Sequence, residues 1–323
     1  MKPAASRRRL LLGAAGLLAV GVGTTSITFS RDLRRSRQRL AGRSTVIPTT
    51  FGALEFADVG RGPPLLAIHG TGGGFDQGLT FCQRLTESGH RVIAPSRFGY
   101  LRSEWPEDPS TERQADAFVT LLDHLRIDRA IAIGASAGAL PAAAFALRHA
   151  ERCAGLVLLV PAANLQGRDP VVMSAWQKYL LDAALGSDFL FLAASRMAPG
   201  AMFRTVLATD PALIAQASSA EQARARTILA ELLPVSAKRR GLLNDALRAG
   251  SPAGLDFASI QVPTLIVSCE DDRFGTAATA RTLAATIRRA QVIIYPSGGH
   301  IWVGRDEEMS AAIKGFVAGL LPK

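Results

Sequence analysis

The chain has 323 residues, 48% of them hydrophobic and 20% charged, which is the balance of a packed globular protein and excludes a mainly disordered or low-complexity one. Its formal net charge of +10 would suit a nucleic-acid binder, but residues 1–43 hold ten Lys and Arg against one acid, Asp32, so the other 280 residues carry only +1. A body that grips phosphate along a basic surface is thereby excluded, and no nucleic-acid partner is expected.

The first feature in chain order is Ser6-Arg7-Arg8-Arg9-Leu10-Leu11-Leu12, which resembles a twin-arginine export signal. Leu10 to Phe29 follows without a charge, about the twenty residues that cross the hydrocarbon core of a bilayer. No A-x-A cleavage site follows it, so residues 1–43 read as an N-terminal membrane anchor with basic flanks, the alternative being a cleaved export signal. Four basic residues precede the apolar stretch and six follow it, which favours a cytoplasmic body, whereas the twin-arginine motif favours export. The sidedness stays open, and the arginines from Arg31 to Arg43 read as a juxtamembrane cluster for anionic head groups.

Residues 51–58 suggest an antiparallel edge hairpin. Beyond it, nearly continuous apolar runs at 65–68, 92–95, 130–134, 156–160, 264–268 and 291–295 read as strands buried on both faces. Helical patterns at 76–88, 111–125, 137–149, 276–289 and 306–320 alternate with them. That alternation predicts an α/β fold, a mostly parallel, doubly wound sheet covered on both faces, built from residues 44–163 and 258–323. Between them, residues 164–257 show only helical patterns, at Val171 to Leu185, Glu221 to Leu233 and Ala237 to Leu247, and read as an inserted helical cap. Phe189, Phe191, Met197, Met202 and Phe203 either line an apolar substrate channel under that cap or form its own small core.

Chemistry concentrates at three strand ends. Gly134-Ala135-Ser136-Ala137-Gly138 lies between a strand and a helix, the arrangement that lifts a serine hydroxyl clear of a sheet. The pentapeptide alone is common by chance; its flanking elements and the pieces that follow give it weight. His300, in Ser297-Gly298-Gly299-His300 after the last strand, is the histidine placed to act as a base near neutral pH. An acid must orient it, and Cys269-Glu270-Asp271-Asp272 offers three. Order along the chain does not choose among Glu270, Asp271 and Asp272.

Together these residues resemble the α/β-hydrolase superfamily, over roughly residues 45–320. His69-Gly70-Thr71-Gly72-Gly73-Gly74 resembles the family's oxyanion loop, which implies the Thr71 and Ala137 amides as donors, with Gly72 as the substitute. The family's Gly-x-x-Asp turn maps onto Cys269-Glu270-Asp271-Asp272 and implies Asp272 as the acid, although Cys269 stands in place of glycine and Gly275-Thr276 where Val-Pro is common. By the same resemblance Ser136, Asp272 and His300 form a triad, and Gly70, Gly72, Phe98, Tyr100 and Trp302 face the substrate. Acyl transfer from a small-molecule ester to water is expected, without a metal or organic cofactor. A cofactor-free perhydrolase, lyase or C–C hydrolase, or a silent binding protein on the same scaffold, would keep these residues. Cys82, Cys153 and Cys269 are too few and too scattered for a disulfide framework or a zinc site, and their odd number weighs against an oxidising compartment.

Overall fold

The computed structural model describes residues 29–163, 185–248 and 254–320, together with Leu165, Ser174 and Asp182. Eight strands form one sheet in the order β1-β2-β4-β3-β5-β6-β7-β8: β1 Thr45–Thr49, β2 Gly52–Val59, β3 Pro64–Ile68, β4 Arg91–Pro95, β5 Ala130–Ala135, β6 Cys153–Leu159, β7 Thr264–Cys269 and β8 Ala290–Tyr295. Only β2 runs antiparallel to its neighbours, β1 and β4; every other pair is parallel. The hairpin therefore begins at Thr45, six residues before its expected start, because Thr49 and Gly52 close the turn between two paired strands.

Alternation along the central strands feeds two cores. Leu66, Ile68, Ala132, Leu156, Leu158 and Ile266 face one side, where they meet α4 (Thr111–His124), α5 (Ala139–Arg148) and α11 (Thr276–Thr286). Leu65, Ala67, Ile131, Ile133, Val157 and Val267 face the other, against α2 (Phe75–Phe81), α3 (Gln83–Glu87) and α12 (Asp306–Ala318). The helix expected over 76–88 is thus two helices, broken at Cys82. The 291–295 run, expected to be buried, forms the sheet's edge, with Val292 41% exposed.

Over the C-terminal strand ends lie α6 (Asp188–Met197), α7 (Pro199–Thr205), α8 (Pro211–Gln216), α9 (Ser219–Glu231) and α10 (Arg239–Arg248). The last two coincide with the helical patterns expected in the cap. The pattern at Val171 to Leu185 falls almost wholly outside the described residues, as does the charge-free stretch beginning at Leu10. Among the described residues no helix is long and apolar enough to cross a membrane.

Residues 29–40 form a helix, α1, that belongs to the folded body. Phe29 packs with Leu192 and Leu233 of the cap and stacks on Phe189 at 4.8 Å. Arg37 pairs with Asp188, and Arg39 reaches between core and cap to Asp76, with Glu231 4.0 Å away and the Leu233 carbonyl 2.8 Å away. So part of the arginine cluster expected to meet head groups serves the fold instead. Asp76 and Glu231 are buried, and Lys238, fully buried beside them, donates to the carbonyls of Gly72 at 2.9 Å and of Glu231.

Truncation at Ser44 removes Arg39, the cation in direct contact with buried Asp76. Arg39→Ala should cost about 3 kcal/mol, the order found when one partner of a buried pair is deleted, and a chain starting at Ser44 should lose at least as much; thermal melts of both against a chain starting before Phe29 check this. Burial and the Asp76 charge push the Glu231 carboxyl up to about 7 from 4.5. Between those values the folded state holds the proton more tightly than the unfolded one, so stability falls as pH rises through the window. Lys238, lowered by burial to about 8, acts in the opposite direction only above that pH. Urea melts of Glu231→Gln between pH 5 and 7 should show a flatter profile than the parent chain.

Candidate active site

Ser136 stands directly after β5 at φ +50°, a left-handed conformation that a non-glycine residue adopts only when its surroundings enforce it. The enforcing contacts involve the flanking glycines. A Cβ on Gly134 would lie 2.5 Å from the Gly138 carbonyl oxygen, and one on Gly138 would lie 2.4 Å from that of Ile68. Both glycines are therefore required by close approach, and their absent side chains let β5, the turn and the end of β3 nest together.

His300 bridges Ser136 and an acid. Its Nε2 lies 2.9 Å from Ser136 Oγ, and its Nδ1 lies 2.8 Å from Asp272 Oδ2. Asp272 is 4% exposed. Burial alone would raise its pKa, but His300, the Thr276 hydroxyl and the Phe274 amide more than offset that and hold the carboxyl below its ordinary value. Asp272 is therefore ionised at neutral pH and placed to fix the imidazole with Nε2 open toward the serine.

The three acids that the sequence left in competition occupy different positions. Glu270 pairs with Arg281 at the surface. Asp271 accepts from the backbone amides of Gly299 at 2.8 Å and Gly298 at 3.3 Å, which braces the loop carrying His300. Only Asp272 reaches the ring. Two supporting residues escaped the sequence reading. Thr276 donates to Asp272 and meets Ser268 Oγ at 2.8 Å, and buried Thr209 in the cap accepts from the His300 amide at 3.0 Å. Gly275-Thr276, noticed only as a departure from Val-Pro, was the one available signal for the first; nothing marked Thr209.

The loop after β3 is held from several sides. Gly70 N–H donates to Gln77 Oε1 at 2.8 Å, Gly72 N–H to the Tyr100 hydroxyl at 3.3 Å, and Gly73 N–H to the Gly70 carbonyl at 3.2 Å. Of the four residues 70–73, among the described contacts, only Thr71 keeps an amide without an acceptor. The Gly72 amide is engaged elsewhere. Thr71 and Ala137 both line the cavity beside Ser136.

That cavity measures about 670 Å³ and runs between sheet and cap. Gly70, Gly72, Phe98 and Trp302 line it, as do Phe191 and Met202 from the cap. Tyr100, expected to face substrate, does not; it is 1% exposed, with its hydroxyl 2.6 Å from Asp245. Phe203 packs into the cap's own core with Leu207, Ile214 and Ile228, while Phe189 lies against Phe29 and Met197 is 84% exposed. These three sit away from the channel because α6 and α7 turn only one face to the sheet. All three cysteines are buried and free. Among the described residues no group of three or more His, Cys, Asp or Glu could hold a metal ion.

Comparison with known proteins places the fold. The family described as alpha/beta hydrolase fold matches residues 63–303. An uncharacterized hydrolase of Bacillus subtilis, YcgS, is 27% identical over 82% of this chain and 95% of its own length. A 2-hydroxymuconate semialdehyde hydrolase of a Pseudomonas species is 29% identical over 75% of this chain and 82% of its own. Among solved structures, an alpha/beta hydrolase fold protein from Nakamurella multipartita superposes with a TM-score of 0.65 at 26% identity, covering 86% of this chain and 98% of that one.

Substitution separates the acids. Labelling of Ser136 by a fluorophosphonate should slow by about four orders of magnitude in Asp272→Asn, as expected when a base loses its orienting carboxylate. In Asp271→Asn it should slow by less than about tenfold, since one acceptor for the loop amides survives. Thr276→Val removes one hydrogen bond from Asp272 and should slow labelling by about fivefold, the equivalent of roughly 1 kcal/mol.

Proposed function

The chain belongs to the α/β-hydrolase fold family, and from that premise we propose that it is a serine hydrolase cleaving an uncharged, largely apolar carboxylic ester through Ser136, His300 and Asp272. The observation that carries the reading is the unbroken series from Ser136 Oγ to His300 Nε2, 2.9 Å, and from His300 Nδ1 to Asp272, 2.8 Å. In this mechanism His300 takes the Ser136 proton as Oγ bonds to the ester carbonyl carbon. The π electron pair of that carbonyl moves to oxygen, and the Thr71 and Ala137 N–H groups donate hydrogen bonds to the developing negative charge. His300 then passes the proton to the departing alkoxide, leaving an acyl-enzyme. Water attacks that acyl group with His300 again as base, and the acid leaves as Ser136 recovers its proton.

The substrate class follows from the cavity wall. Leu140, Val160, Phe191, Met202, Ile228 and Leu232 supply a broad apolar surface. Among the described residues, two of the arginines lining it are ion-paired, Arg97 with Asp245 and Arg224 with Glu221, whereas Arg248 is exposed and bonds only the neutral Asn244 amide. An apolar chain gains from such a wall, and the two arginines paired with acids offer a carboxylate no free charge.

A second reading is favoured by several of the relatives. The relative named as a 2-hydroxymuconate semialdehyde hydrolase takes, by that name, a substrate bearing a carboxylate. For C–C cleavage here the carboxylate would have to be held by Arg248 at the exposed side of a mainly apolar cavity, which is why the ester reading stands first.

The N-terminal stretch is proposed as a membrane anchor on its sequence alone. With α1 docked on the cap, an anchor ending near Phe29 would hold the cap close to the bilayer surface. Carbonate extraction of membranes tests the anchoring, and a C-terminal reporter fusion reads the side.

The functional proposal is tested by a fluorophosphonate and a series of p-nitrophenyl esters. Labelling should vanish in Ser136→Ala, and kcat/KM should rise from acetate to octanoate by about threefold per added CH₂. Preference for a carboxylated dienone over every ester would favour C–C cleavage, and a folded chain that neither labels nor turns over esters would mark a binding protein.

A further inference from the structure

We propose that Arg97 and its cap partner Asp245 are positioning residues for oxyanion stabilisation, aiming the Thr71 amide at the reacting carbonyl and tying that aim to the seating of the cap. The proposal rests on the serine-hydrolase reading given above. It adds residues that this reading does not use.

A trans peptide directs its C=O and N–H oppositely, so whatever fixes the Gly70 carbonyl also fixes the direction of the Thr71 N–H. Three donors converge on that carbonyl oxygen: His69 Nδ1 at 2.7 Å, the Gly73 amide at 3.2 Å and Arg97 Nη2 at 3.2 Å. The role of His69 is unambiguous. Its Nε2 accepts from the Arg97 amide at 2.9 Å, so the ring proton sits on Nδ1 and is donated to Gly70. Burial first, and then the neighbouring Arg97 and Lys238 charges, keep the ring neutral by holding its pKa well below 6.5.

Of the three donors, only Arg97 is charged. It is 6% exposed and lies bidentate on Asp245, with Nη1 to Oδ1 at 2.9 Å and Nη2 to Oδ2 at 2.5 Å. Asp245 belongs to α10 of the cap. Tyr100 completes the cluster: its hydroxyl donates to Asp245 at 2.6 Å and accepts from the Gly72 amide at 3.3 Å, and its ring meets His69 edge-on at 4.6 Å. The peptide planes on both sides of Thr71 are thus held, one through the Gly70 carbonyl and the other through the Gly72 amide. Donation to the Gly70 carbonyl also polarises the same peptide, which makes the Thr71 N–H a better donor.

Among the described residues Asp245 is therefore the one cap side chain that joins both restraints. If the cap lifts, Arg97 loses its bidentate partner, and the Gly70–Thr71 peptide loses the group that charges and steadies its carbonyl. Lys238, which donates to the Gly72 carbonyl at 2.9 Å from the turn before α10, reinforces the same loop from the same side.

The test compares transition-state affinity with ground-state affinity in Asp245→Asn and Arg97→Lys. A trifluoromethyl ketone forms a hemiketal oxyanion with Ser136, whereas the matching secondary alcohol only occupies the cavity. Both variants should lose about tenfold to a hundredfold in kcat, the order associated with a misaimed oxyanion donor. Ki for the ketone should rise by the same factor while KM and Kd for the alcohol stay within about threefold. A residue of purely structural importance would lower Tm without separating those affinities. If a single variant fails to fold, the neutral pair Arg97→Gln/Asp245→Asn carries the same expectation. Folded variants that hold kcat and ketone Ki within about threefold of the parent would overturn the proposal. Failure of the parent chain to label with a fluorophosphonate would instead overturn the underlying hydrolase reading.

Discussion

The site depends on how closely the turn after β5 is pressed onto the end of β3. Gly138 fits against the Ile68 and His69 carbonyls only because it has no side chain, and that approach brings Ser136 beside the loop 69–74. Strands β3 and β5 are neighbours in the sheet, so their C-terminal loops open into the same crevice, as ligand sites do in parallel α/β sheets. The strain at Ser136 follows from the same contact. A turn relaxed out of the left-handed region would withdraw the hydroxyl from His300.

Around that fixed serine, the rest of the Ser136–His300–Asp272 series is held by backbone bonds to its loop. Asp271 grips the amides of Gly298 and Gly299, and Thr209 grips that of His300, so the imidazole is located before any bond to Asp272 is counted. Gly299, at φ +63°, has no room for a Cβ, which would lie 2.6 Å from Thr209. The acidic run after β7 thus divides its work: one carboxylate places the loop, the next orients the ring, and Glu270 stays at the surface with Arg281.

What the sequence made legible was whatever repeats a local rule. Buried strands announced themselves as apolar runs, and the serine and histidine loops carried glycines where backbones must pass closely. Residues whose value lies in a distant partner were opaque. Tyr100 read as an aromatic facing substrate because nothing nearby in the chain shows that Asp245, 145 positions later, receives its hydroxyl. Arg39 read as one of a basic cluster because Asp76 and Glu231 lie in separate elements. The edge position of β8 was equally hidden, since its apolar run resembles those of the central strands and only the topology decides which strand is last.

Polar burial is concentrated along one side of the loop 69–74, where Asp76, Arg97, Glu231, Lys238 and Asp245 are all buried. Stability alone does not account for that concentration, because well-packed apolar side chains of similar volume commonly stabilise a fold as much as buried charges do. What apolar residues cannot do is fix the direction of a peptide plane. Lys238 and Arg97 are aimed at the carbonyls of Gly72 and Gly70, and each charge needs acids to remain in the interior at all. Asp245 serves Arg97, while Asp76 and Glu231 oppose the burial cost of Lys238. Arg39 then offsets the surplus of negative charge from α1. The helix before β1, the cap and the loop 69–74 are therefore parts of one electrostatic assembly, ordered outward from two backbone carbonyls.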